Sequence, residues 1–193
     1  MRKFKGWLKI VLILITLIFG AVLIYLIANQ FFKAPPKEIT FEPEETKQLA
    51  ENKKIDYLAP DFKLPNIEGE KVKLSDYKDK NIVLTFWTSW NPAAQDQIVI
   101  LESYYQEIKD KKDIILLTVD NQEDKSVVGN FIRRGGYNLP ILLDEDGSVG
   151  ELYKISTLPA AYFINQKRMV KEIYIGVLNR EELKDKIEGL YRE

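Results

Sequence analysis

Hydrophobic positions fall into three regimes along this chain. Ile10 to Ala28 is a 19-residue apolar run broken only by Thr16, Gly20 and Tyr25. Lys33 to Lys54 has little apolar periodicity and carries Pro35-Pro36, Pro43 and several acids. From Ile55 onward, short β-branched runs alternate with helical spacings, the pattern of an α/β domain. Residues 82–87, Ile-Val-Leu-Thr-Phe-Trp, predict a buried central strand. Thr88-Ser89-Trp90 breaks that run, and Asn91-Pro92 predicts a helix start, with Asn as N-cap and Pro at the first helical position. Ala94, Ile98, Leu101, Tyr105 and Ile108 then follow at helical spacing, facing inward.

The remaining domain yields further elements. Ala59 to Tyr77 reads as a hairpin turning at Glu68-Gly69. Asp113 to Asp120 predicts a second buried strand, and Asp124 to Arg134 a helix ended by Gly135-Gly136. Leu139 to Asp144 reads as a short strand and Gly147 to Lys154 as a short helix. Ala160–Asn165 and Met169–Gly176 form a hairpin around Gln166-Lys167-Arg168, and an amphipathic helix over 180–191 turns Leu183, Ile187 and Leu190 inward.

The apolar run changes the topology. Nineteen residues of helix span about 28 Å, near the roughly 30 Å of a bilayer core. Arg2, Lys3, Lys5 and Lys9 precede it and no acid occurs before residue 33, so the N-terminus is expected in the cytoplasm. The run exceeds a signal-peptide core and no small-x-small cleavage site follows it. The expected organisation is a basic flank at 1–9, a transmembrane signal-anchor at 10–32, a linker at 33–54 and an extracytoplasmic domain at 55–193. As a flexible coil the 22-residue linker would span roughly 25 Å.

Charge and composition narrow the chemistry. Beyond residue 32 the chain holds 28 − 4 = 24 basic residues against 29 acids, which argues against nucleic acid as a partner. Cys and His are both zero. Without a thiolate there is no disulfide exchange, and without both residues there is no usual zinc, haem or iron–sulfur ligand set. No histidine can act as general base. The expectation is no metal, no cofactor and no nucleic acid.

The stretch from Phe86-Trp87 to Ala94 resembles the active-site segment of thioredoxin-like redoxins, especially the membrane-anchored ResA and TlpA type. In that family a strand ending Phe-Trp leads into Trp-Cys-x-x-Cys at a helix start. Here the segment reads Trp90-Asn91-Pro92-Ala93-Ala94, so Asn91 and Ala94 occupy both cysteine positions. Ala59-Pro60-Asp61-Phe62, with Leu64, and Leu74-Ser75-Asp76 resemble the opening of the AhpC/TSA relatives. The resemblance implies a thioredoxin-like α/β fold: a mixed central sheet flanked by helices, extended by an N-terminal β-hairpin.

The resemblance also implies that Leu158-Pro159 is a cis-proline loop facing Asn91. It places active relatives in thiol–disulfide exchange, cell redox homeostasis and cytochrome c maturation. At Thr85, where thioredoxins often carry a buried carboxylate, this chain has none, and Pro92-Ala93 replaces the glutamate that some relatives hold between the cysteines. The expected site is non-catalytic: a peptide-binding groove of Trp90, Asn91, Pro92, Leu158 and Pro159, in which residue 158 offers its backbone to an extended peptide. Trp90 is expected either to cap the core or to stack on a partner. Two other readings stay open, an oxidoreductase that borrows a partner's thiol and a purely structural domain. Arg133-Arg134-Gly135-Gly136 reads as a helix end, and the acids Glu181-Glu182 and Glu44-Glu45 as solvated.

Overall fold

The computed structural model describes residues 54–192 and, ahead of them, Val22, which is helical. The expected anchor and basic flank, and all of the linker except Lys54, otherwise lie outside the described residues. Among the described residues no helix is long and apolar enough to cross a membrane.

Eight strands and four α-helices follow in order. The strands are β1 (Lys54–Leu58), β2 (Lys63–Pro65), β3 (Lys71–Lys73), β4 (Asn81–Trp87), β5 (Ile114–Asn121), β6 (Ile141–Asp144), β7 (Ala160–Ile164) and β8 (Met169–Ile175). The helices are α1 (Pro92–Ile108), α2 (Lys125–Gly135), α3 (Ser148–Leu152) and α4 (Arg180–Gly189). Six strands make one mixed sheet in the order β1-β8-β7-β4-β5-β6, while β2 and β3 pair as a separate hairpin. Strands β4, β5 and β6 run parallel, and β7 is antiparallel to β4. This is the expected mixed α/β architecture with its N-terminal hairpin.

Strand β4 lies at the centre because both of its faces are apolar. Ile82, Leu84 and Phe86 enter a core shared with the β2–β3 hairpin residues Phe62, Leu64 and Leu74 and with Val149 of α3. Val83 and Trp87 point the other way, into a core with Ala94, Ile98 and Leu101 of α1, Val128 of α2 and Leu183 of α4. A strand covered on both sides reads as a continuous hydrophobic run, and burying each such side chain contributes about 1.5–3 kcal/mol.

Two expectations need correction. Strand β1 had no sequence signal of its own: it is a mixed polar and apolar run that joins the sheet only by pairing with β8, Tyr57 opposite Val170. On α1 it is Tyr104, not Tyr105, that is buried, while Tyr105 packs partly against the core. The α1 stripe also includes Gln97, a polar residue only 1% exposed. Its Oε1 accepts the backbone N–H of Leu178 at 2.6 Å, which fixes the chain entering α4.

The start of α3 depends on a glycine. The Gly150 N–H donates to Asp144 Oδ2 at 2.7 Å, and a Cβ there would lie 2.0 Å from Asn121 Oδ1.

Replacing Gln97 with Leu strands the buried Leu178 N–H and is expected to destabilise the domain by about 1–3 kcal/mol. A urea melt with an unchanged midpoint would show that this bond carries no weight.

Candidate functional site

The site forms where β4 ends and α1 begins, at the carboxyl end of the parallel strands, the usual ligand position in α/β sheets. Asn91 is extended (φ −86, ψ 116) and its Oδ1 accepts the N–H groups of Ala93 at 3.0 Å and Ala94 at 3.4 Å. Pro92 occupies the first helical turn, where its missing N–H leaves nothing unpaired. The other end of the Asn91 amide, Nδ2, donates to the Leu158 carbonyl at 3.0 Å. One side chain thus joins the helix tip to the facing loop.

The Leu158–Pro159 bond is cis, as the resemblance implied. Pro159 is buried, and its carbonyl accepts the N–H of Gly176 at 2.9 Å. Of the five groove residues, Asn91 and Leu158 are in direct contact, Pro92 is exposed beside them, and Pro159 lies behind the surface. Trp90 projects into solvent with 69% of its surface exposed, which removes the core-capping option. The Leu158 carbonyl, expected to be open to a peptide, is already taken by Asn91. Ala94 is fully buried and packs against the core. The helix-end reading of Arg133 to Gly136 also holds, since Gly136 adopts φ 67 and closes α2.

Behind the turn lies a carboxyl pair that the sequence reading missed. Glu123 accepts both the backbone N–H and the hydroxyl of Ser89, the latter at 2.7 Å. Gln95 Nε2 donates to the Ser89 carbonyl at 2.6 Å, so the turn is held by side chains from two directions. Beside Glu123, Asp120 lies one residue before the end of β5 with no exposed surface, opposite Trp87 in the ladder. No donor reaches either Asp120 oxygen in hydrogen-bonding geometry, and the Trp87 indole N–H and Thr85 hydroxyl on the same sheet face are likewise without partners. Burial pushes the Asp120 carboxyl up to about 9, helped by the neighbouring Glu123 carboxyl and by Asp144, while the Glu123 backbone N–H acts in the opposite direction. Asp120 is therefore a neutral acid at pH 7. The available signal was an aspartate closing an apolar strand. Nothing in the sequence put Glu123 next to it.

Chemically, the helix tip presents an amide and a methyl group. Neither is a nucleophile or an electron donor at neutral pH. Among the described residues, no group of three or more Cys, His, Asp or Glu side chains could hold a metal ion.

A strand feeding a helix whose tip faces a cis-proline loop, on a sheet of this order, defines the thioredoxin-like fold. The chain belongs to the AhpC/TSA family, which it matches over residues 55–173. It is 31% identical to the thiol-disulfide oxidoreductase ResA of Geobacillus thermodenitrificans over 132 residues, 68% of this chain and 75% of that one. Against ResA of Bacillus subtilis it is 30% identical over 127 residues, covering 66% and 70% of the two chains. The crystal structure of StoA from Bacillus subtilis is similar with a TM-score of 0.60 and 29% identity, covering 67% of this chain and 97% of StoA. The chain is thus a thioredoxin-fold protein of the thiol–disulfide oxidoreductase kind that has no cysteine.

Replacing Asn91 with Ala removes the cap and the link to Leu158 together, and is expected to cost about 1–2 kcal/mol in a denaturant melt. An unchanged midpoint would contradict the bridging role. Asp120 predicts a pH dependence of stability. Its carboxyl is raised above the ordinary 3.8, so the native state keeps a proton that the unfolded chain releases. The associated stability is complete below about pH 4 and is lost as pH rises toward 9, by at most about 1.4 kcal/mol per pH unit. Asp120→Asn should therefore raise the melting temperature more at pH 8 than at pH 5. Equal shifts at both would show that Asp120 carries no displaced proton.

Proposed function

We propose that this is a membrane-tethered, extracytoplasmic thioredoxin-like protein that binds a peptide or protein segment without catalysing thiol–disulfide exchange. The observation that carries the reading is Asn91. At the position where the fold presents sulfur stands an amide with both ends hydrogen-bonded, and Ala94 fills the second thiol position. Trp90, exposed beside Pro92 and the Leu158-Pro159 loop, supplies a rigid aromatic surface for a partner. The apolar run from Ile10 to Ala28, with its basic flank, supports the anchor and an outward-facing domain. The thiol-disulfide oxidoreductase names of the relatives support a thiol-redox setting, and a role there as holdase, scaffold or partner subunit, in envelope or cytochrome c maturation tasks, is part of the proposal.

The likeness to the thiol-disulfide oxidoreductase ResA also favours a second reading, an oxidoreductase that works with a thiol lent by a partner. The two separate experimentally. Insulin reduction by the purified full chain should stay at the buffer rate, and measurable turnover would overturn the binding reading. A photo-crosslinking residue at position 92 should capture a defined membrane partner, and Trp90→Ala should abolish that capture. Undiminished capture by Trp90→Ala would place the contact elsewhere.

A further inference from the structure

Glu123 accepts both the backbone N–H and the hydroxyl of Ser89, the residue just before exposed Trp90, through its two carboxyl oxygens. Asp120 next to it is completely buried, without a donor on either oxygen. The surroundings of Asp120 offer no compensating cation. Strand β4 faces it with Trp87 and Thr85, neither charged. Strand β6 contributes Asp144, whose own oxygens are taken by the N–H groups of Val149 and Gly150. On the same sheet face α1 contributes Gln97, and α2 contributes Val128 and Phe131, which packs on Trp87 at 5.3 Å. The charged residues Asp96 of α1 and Lys125, Arg133 and Arg134 of α2 are exposed. The charged groups that act most on Asp120, Glu123 and Asp144, are both acidic.

We propose that Asp120 and Glu123 form a pH-sensitive latch on the Thr88–Asn91 turn, closed while the pair holds one proton and released when it holds none. With one proton on the pair, Asp120 is neutral and Glu123 is free to hold Ser89. Removing that proton places two negative charges side by side in a region of low dielectric. Asp120 is anchored in the strand, so relief requires Glu123 to swing toward solvent. That motion breaks both bonds to Ser89 and leaves Gln95 as the remaining side-chain tie to its backbone. The raised Asp120 carboxyl puts release on the alkaline side of neutrality, near pH 9. The latch rests on the proposed binding role only in its consequence, that release repositions Trp90 at the partner surface.

The test needs no partner. The full chain carries three tryptophans, Trp7, Trp87 and Trp90, which 5-fluorotryptophan labelling resolves by ¹⁹F NMR after Trp→Phe assignment. In the wild-type chain the Trp90 resonance should shift with a midpoint between about pH 8 and 10. Asp120→Asn, which stays neutral, should flatten that transition. Glu123→Gln removes the charge that would be repelled and should abolish the transition. A Trp90 signal constant from pH 6 to 10.5 in wild type overturns the latch, as does a transition that survives in Asp120→Asn. Should that variant fail to fold, a transition that survives in Glu123→Gln overturns it equally. A silent titration leaves the partner-binding reading standing, and loss of photo-crosslinking leaves the latch standing.

Discussion

One amide side chain joins the two halves of this site. Asn91 is bonded through its oxygen to the first turn of α1 and through its nitrogen to the Leu158 carbonyl on the loop leading into β7. A helix start leaves N–H groups that need acceptors, and a carbonyl on a partly buried loop needs a donor. The carboxamide meets both needs because it is acceptor at one end and donor at the other. A thiolate at the same helix tip could accept but could not donate. The substitution that removes the family's chemistry therefore also locks its geometry, and the closed bridge and the absent nucleophile have one cause.

The lock has a consequence for recognition. A peptide laid along residue 158 would find its carbonyl already occupied, and the exposed surface beside it is that of Trp90 and Pro92. The residues holding that surface in place are polar and lie underneath it. Ser89 is gripped by Glu123 and Gln95, and Glu123 sits against a fully buried Asp120. The turn is thus held from below by polar side chains, with a fully buried acid among them. The two parts are linked through a single residue, Ser89.

Much of this was readable in advance where the signal was local. The strand over 82–87, the Asn91 cap, the hairpin at Glu68-Gly69 and the closing helix with Leu183 and Ile187 inward each follow from residues within one or two turns of each other. The signals failed where the controlling contact is distant. Strand β1 gains its form only from β8, more than a hundred residues away. The burial of Gln97 had no local signal, because its partner, the Leu178 N–H, is 81 positions further on.

The sequence by itself determined that the chain holds no cysteine and no histidine, because composition does not depend on folding. It also determined the central strand and the helix cap, whose causes are periodicity and short-range hydrogen bonding. Only the tertiary structure decided that the Asn91 amide would reach Leu158, that Trp90 would face solvent, and that Asp120 would be buried beside Glu123. Those outcomes depend on which strands lie next to each other and on how completely the helices exclude water. A proton's affinity for a carboxyl is set by that enclosure, which no stretch of neighbouring residues encodes.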